Sequence, residues 1–269
     1  MVTTEFLEIK KEKRIILPEL KKNTHELSRI KRVIGVCSGK GGVGKSLVAA
    51  LLSVLSQRKG YNTALLDADI TGPSIPKMFG LKGGLEKDKD GMCPRISETG
   101  IKIMSANFLL KDETDPIMWR GPIISDIIRQ FWRDVIWGDI DVMFIDFPPG
   151  TGDVPLTVFQ NVDLDGIIVV TSPQELVSMI VKKAIKMANN LNVPVLGVVE
   201  NMSYVKCPKC GEIINMFEGN STKNISRQYD IPILGKMPVS PEFAKACDNG
   251  KVESVNASCL DVCLEILGL

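Results

Sequence analysis

The chain has 269 residues, 44% hydrophobic and 24% charged, and its 33 Lys and Arg against 32 Asp and Glu leave a net charge of +1. That length suits one or two domains, and so even a balance excludes bulk-charge binding of nucleic acid and an acidic solvating tail. Uncharged runs fall short of the roughly 20 apolar residues of a membrane span, Glu5 and Glu8 interrupt any signal-peptide core, and a lone histidine, His25, cannot build a His-ligated metal site or a Ser-His-Asp triad.

Residues 1–31 are charged and weakly periodic and read as a partly ordered arm. From Arg32 onward, short Val- and Ile-rich runs alternate with longer helical-period segments. The runs predict strands at 32–37, 63–67, 101–105, 142–146, 166–171, 195–200 and 233–236, apolar enough to be buried on both faces. Helices are expected near 44–59, 121–136, 153–161, 173–190, 218–229 and 253–267. In 173–190, Leu176, Ile180, Ala184, Met187, Ala188 and Leu191 share one stripe. Residues 80–99, rich in Gly and Pro, read as an irregular excursion or hairpin. The alternation predicts an α/β fold, a doubly wound, mostly parallel sheet with helices on both faces, as one domain over 32–269.

Gly39-Lys40-Gly41-Gly42-Val43-Gly44-Lys45-Ser46 matches G-x-x-x-x-G-K-[ST] between an apolar strand and a helical segment, and with Leu47 it makes up the expected nucleotide-binding loop. Glycines let successive N–H groups turn inward around phosphate oxygens, and a helix N-terminus adds partial positive charge there. Lys45 is placed to contact the outer phosphates of ATP, and the Ser46 hydroxyl to ligate Mg²⁺. Lys40, a second lysine at the start of the loop, resembles the deviant Walker A class of P-loop ATPases, which includes the ParA and MinD proteins and the nitrogenase iron protein. The resemblance implies that Lys40 reaches across a dimer interface to the partner's nucleotide.

Three carboxylates belong to the same region. Asp67 and Asp69 end a strand where that class carries its switch I acids, and Asp146 ends another as a Walker B aspartate does. By resemblance, Asp69 positions the attacking water, Asp67 supports the Mg²⁺ shell and Asp146 holds the metal, with Lys40, Lys45 and Asp69 the catalytic set. Phe147-Pro148-Pro149-Gly150-Thr151-Gly152-Asp153 forms a stiff turn of switch II type, in which Asp153 is either a helix N-cap or a reacting group. Asn201 and Pro238 sit where related ATPases bind adenine, and turn chemistry accounts for both equally well.

Seven cysteines in a chain read as cytoplasmic point to metal or redox chemistry more than to structural disulfides. Cys207-Pro208-Lys209-Cys210-Gly211 offers two converging thiols, within a cysteine loop at 203–213. A complete four-cysteine site needs two more, and Cys247, Cys259 and Cys263 have the wrong spacing. A symmetric dimer would supply them, as Lys40 suggests independently. A redox dithiol and half of a zinc site stay open. Lys206 and Lys209 either favour thiolate formation or are solvated charges. Cys37 and the pair Cys259 and Cys263 read as packing residues. Cys93 has no assigned place.

Together with Asp67-Ala68-Asp69-Ile70-Thr71-Gly72-Pro73-Ser74, Trp119-Arg120-Gly121-Pro122 and Glu200-Asn201-Met202-Ser203, these motifs occur in the order of the Mrp/ApbC proteins, which the chain resembles over roughly residues 30–245. These are iron–sulfur cluster carrier ATPases. The resemblance implies a homodimer that hydrolyses ATP slowly and holds a [4Fe–4S] cluster between subunits through Cys207 and Cys210. It would deliver the cluster to apo-proteins, without binding nucleic acid or membrane. Residues 1–36 contain no cysteine, so the N-terminal cluster of the eukaryotic cytosolic scaffolds is not expected. Two readings compete. A ParA/MinD-like positioning ATPase would need a basic amphipathic end, whereas residues 260–267 carry acids and neither Lys nor Arg. A zinc-stabilised ATPase with an unknown client is the other.

Overall fold

The computed structural model describes residues 23–70, 72–110, 121–216 and 221–269. Most of the N-terminal arm, Thr71, and Trp119 and Arg120 of the Trp-Arg-Gly-Pro motif lie outside them.

In chain order the elements are β1 (Arg29–Ile30), β2 (Val33–Ser38), α1 (Lys45–Arg58), β3 (Thr63–Asp67), α2 (Ile75–Met78), β4 (Glu86–Lys87), β5 (Met92–Cys93), β6 (Arg95–Ile96), β7 (Lys102–Ser105), α3 (Gly121–Arg133), β8 (Asp139–Ile140), β9 (Val142–Asp146), α4 (Asp153–Asn161), β10 (Gly166–Thr171), α5 (Glu175–Asn190), β11 (Val195–Lys206), β12 (Ile213–Ile214), α6 (Ser221–Tyr229), β13 (Ile233–Pro238), α7 (Pro241–Asp248) and α8 (Asp261–Leu267). Among the described residues the main sheet runs β12-β11-β10-β2-β9-β3-β7-β6, with β13 also paired to β11. Its strands are parallel except at the ends, where β6 and β12 pair antiparallel. Two small pairs stand apart, β1 with β8 and β4 with β5. The first takes up Arg29 and Ile30 of the arm; the second lies in the excursion of 80–99.

The parallel strands are central because their sequences allow nothing else. All residues of β2, β3, β9 and β10 are buried. Each large apolar side chain so buried is worth roughly 1.5–3 kcal/mol, and only helices on both faces can supply that cover. In α3, Ile124, Ile127, Ile128, Phe131 and Trp132 form the buried stripe. In α5, Val181, Ala184, Ile185 and Ala188 are buried.

Three expectations need correction. The helix expected over 253–267 is instead a 3₁₀ turn at Val252–Ser254, a second at Ser258–Leu260, and α8. Helix α7 was not expected, and it starts at Pro241, three residues past Pro238. The strand expected to stop at 200 runs on to Lys206. It crosses a register shift between Glu200 and Tyr204, and Met202 has φ 56°. Positive φ costs a non-glycine residue energy, so neighbouring contacts must hold it there.

A candidate nucleotide cleft and a cysteine hairpin

The loop between β2 and α1 closes on a cleft of about 220 Å³. Gly41, Gly42, Gly44, Lys45, Ser46 and Leu47 line it, with Ser38, Asp69, Ser74, Met78 and Pro149. Gly39 is buried at the start of the loop, and Val43 is anchored in the core at 4% exposure. Lys40 is exposed, and its carbonyl accepts from Ser38 Oγ at 2.9 Å. Gly44 has φ 81°, and a Cβ there would lie 2.2 Å from Asn201 Nδ2, so only glycine fits.

Parallel register brings the acids together. Asp67 of β3 pairs directly with Asp146 of β9, and with Ser105 of β7 on the other side. Both aspartates are fully buried. Lys45 Nζ meets Asp146 Oδ1 at 2.6 Å and Asp69 Oδ2 at 3.6 Å. Asp67 accepts from the Asp69 amide at 3.2 Å, from Ser105 Oγ at 3.0 Å and from the Ile75 amide at 3.4 Å. Asp146 Oδ2 is buried and accepts no hydrogen bond among the described residues.

One lysine thus faces three carboxylates. Burial, then the charge of Asp146, pushes Asp67 well above the usual carboxylate range, against the pull of Lys45 and the Ser105 hydroxyl. Burial also raises Asp146, against Lys45. Burial works to lower Lys45, but Asp146, Asp69 and Asp67 outweigh it and the ammonium is held above its ordinary value. Surplus buried negative charge and an unpaired carboxylate oxygen beside the Ser46 hydroxyl are the donor set of a divalent cation, so these residues fit Mg²⁺.

Asp146 leads into the Pro-Gly turn, where the Gly150 amide donates to Ser38 O at 3.0 Å and Pro149 borders the cleft. Helix α4 begins at Asp153 with Gly152 as its cap residue, so Asp153 is inside the helix. Ser105 and Met78 were not singled out from the sequence, and Ser74 entered only as the last residue of the 67–74 motif. For Ser105 the signal is a serine at the end of a parallel strand, level with an expected acid.

Asn201 is 3% exposed. Its Nδ2 donates to Val43 O at 2.9 Å, and its Oδ1 accepts from the Met202 amide at 2.9 Å. Its amide is therefore engaged with the phosphate loop and its own strand. Pro238 ends β13 in register with Tyr204 and does not line the cleft. Next to Asn201, Glu200 accepts from Ser203 Oγ at 2.6 Å and pairs with Lys236 at 3.0 Å.

Past Asn201, β11 turns back into β12 as a hairpin, with Val205 opposite Ile214 and Lys206 opposite Ile213. The Cys207 amide donates to Glu212 O, and the Gly211 amide to Cys207 O, both at 2.9 Å. Gly211, at φ 76°, turns the tight corner. Cys207 is half-buried and Cys210 exposed. The Cys210 and Lys209 amides and the Cys210 side chain donate to Cys207 and hold its thiol below the usual range. Main-chain dipoles, rather than the flanking lysines, thus favour the thiolate. Ile213, Ile214 and Met216 are exposed beside it.

The other cysteines behave differently. Burial pushes Cys37 and Cys263 up to about 12, and Cys247 and Cys259 also upward. Among the described residues no group of three or more His, Cys, Asp or Glu closes a metal site. Cys207 and Cys210 thus stand as a pair of free thiols. Also among these residues, no helix is long and apolar enough to cross a membrane.

A family described as ParA, NUBPL iron-transfer P-loop NTPase, matches residues 29–265. An iron–sulfur cluster carrier protein of Clostridium perfringens is 43% identical, covering 83% of this chain and 81% of its own. The cytosolic Fe-S cluster assembly factor CFD1 of Candida glabrata is 41% identical over 84% and 82%. A nucleotide-binding protein of Archaeoglobus fulgidus, solved in complex with ADP, superposes with a TM-score of 0.78 at 42% identity, over 86% of this chain and 91% of that one. The cell division ATPase MinD of Pyrococcus furiosus superposes at 0.63 with 17% identity, over 88% and 98%, a likeness of fold alone.

Proposed function

Since this chain belongs to the NUBPL iron-transfer P-loop NTPases of the ParA group, we propose that it is an ATP-hydrolysing carrier of a [4Fe–4S] cluster, working as a homodimer. The observation that carries this reading is the hairpin with two thiols, Cys210 exposed and the Cys207 thiol held below its usual range by main-chain amides, on the strand whose Asn201 bonds to an intact phosphate loop. The cluster is the cargo. Cys207 and Cys210 of each copy would supply two of its four thiolates across a two-fold axis. Such a site is half-made by each chain and exposed, which suits a cluster passed on to apo-proteins.

At the cleft, the loop amides and Lys45 bind the phosphates of ATP. To reach them, Lys45 leaves Asp146 and so frees the carboxylates that would hold Mg²⁺. Ser46, Asp67 and Asp146 would hold the metal, directly or through water, and when bound it supplies charge stabilisation for phosphoryl transfer. Asp69, at the mouth of the cleft, orients the attacking water. Lys40 is exposed at the loop entrance, as a lysine must be that reaches a nucleotide on the other copy.

Anaerobic reconstitution with iron and sulfide tests the reading. The wild type should take up about four irons per dimer, and Cys207→Ser should lose them while still binding ADP. Stoichiometric zinc without a cluster, or a cluster untouched by the substitution, would overturn the carrier role and leave the NTPase standing.

A further inference from the structure

The bond from Asn201 to the phosphate loop falls on one particular peptide. Val43 O and the Gly44 amide belong to the same planar, trans unit, so they point in opposite directions. With its carbonyl held by Asn201 Nδ2 at 2.9 Å, that unit turns its N–H to the other side, and Gly44 lines the cleft. The missing Cβ of Gly44 is what lets the amide approach so closely.

Asn201 is itself held firmly. Its Oδ1 accepts from Met202, and the neighbouring Glu200 is tied to Ser203 and to Lys236 of β13. From there β11 continues to Lys206, and Cys207 follows. Six residues of strand, about 20 Å, therefore join a phosphate-loop peptide to the first thiol of the hairpin.

We propose that Asn201 positions the Gly44 N–H for phosphate through the Val43 carbonyl, and that through the same bond phosphate in the loop is felt at Cys207. When the loop amides and Lys45 turn to a triphosphate, the Val43–Gly44 peptide adjusts and its carbonyl shifts against Asn201. The anchored bulge at 200–203 passes the shift along the strand, since a bonded strand moves as a unit. Linkage makes the effect mutual, so a ligand on the hairpin alters phosphate affinity by the same factor. The proposal takes from the carrier reading only that nucleotide occupies the loop; it holds whether the hairpin carries iron, zinc or no metal.

The test measures binding of ATP and of inorganic tripolyphosphate by calorimetry, and the alkylation rate of Cys207 by mass spectrometry with and without saturating Mg-ATP. In Asn201→Ala both ligands should weaken together, about tenfold for one lost hydrogen bond, and the response of Cys207 to ATP should vanish. Glu200→Ala, which loosens the anchor and leaves Asn201 in place, should keep both affinities within about twofold and diminish the response. If Asn201→Ala weakens ATP and spares tripolyphosphate, the side chain reads the base and the positioning role falls. If Cys207 responds to ATP in that variant as in the wild type, or responds in neither, the link to the hairpin falls. Failure of the carrier reading would appear separately, as missing iron in reconstitution with these outcomes unchanged.

Discussion

Lys45 brings one positive charge to three carboxylates, and the imbalance sets a measurable cost on Asp67. Its folded pKa lies above its unfolded one, so the native chain binds the proton more tightly. Its contribution to stability therefore falls as pH rises through the window between the ordinary carboxyl value of 3.8 and the raised one. Asp67→Asn removes that loss. Urea unfolding in EDTA should show the variant gaining on the wild type as pH rises through this window, while Mg-ATP hydrolysis drops by at least roughly a hundredfold. A pH-independent difference would mean that Asp67 is not held protonated by the fold. Gly44 gives a second test. Gly44→Ala puts a methyl group at positive φ against Asn201, which should cost about 1–3 kcal/mol and weaken ADP binding by more than tenfold. Thermal unfolding with and without ADP reads both.

At the scale of elements, the parallel strands were legible because burial on both faces leaves an unbroken apolar signature, and β3, β9 and β10 lie where the sequence puts them. The phosphate loop was equally plain, since its glycines have one job. Two of the three failures share a cause: polar side chains bonded in ways that hydrophobic periodicity does not register. Glu253 fits a helical period, but its carboxylate accepts from Ser97 Oγ at 2.7 Å, from the Glu98 and Thr99 amides at 3.1 and 3.2 Å, and from Thr99 Oγ1. Arg58 takes the carbonyls of Glu253 and Val255, and Asn256 accepts from the Ser258 amide. These bonds outbid a continuous helix, and none shows in local periodicity. Ser240 followed by Pro241 did announce α7, since Pro suits the first helical turn. The run past Glu200 was hidden because Glu-Asn-Met-Ser looks like a turn until Asn201 is seen on the phosphate loop. Glu253→Ala frees four donors at the 97–99 turn. It should lower stability by about 1–3 kcal/mol and leave ATP hydrolysis within twofold, as denaturant titration and a phosphate-release assay would show.

At the scale of the whole molecule, one sheet serves two purposes at different places along its strands. The carboxyl ends of β2, β3 and β9 gather the loop and the acids into the cleft, where a parallel sheet presents its ligand crevice. Strand β11 pairs with β10 and β13 as far as Glu200, meets β13 again at Tyr204, and then pairs with β12 at Val205 and Lys206, carrying the cysteines out to the edge. The chemistry of phosphate is thus set in a stiff, fully covered layer, and the chemistry of sulfur on a two-stranded projection.

The hairpin closes on itself through the Lys206–Ile213 pair, with 207–212 as an appendix to the ladder. It is in that sense a removable cartridge. Replacing 207–212 with Asn-Gly, a two-residue turn that suits the twist of paired strands, should leave a chain that unfolds at the wild-type temperature and hydrolyses ATP but takes up no iron. The same junction would accept a different metal-binding loop of matching width, so the nucleotide machine could be re-equipped with new cargo at a single splice.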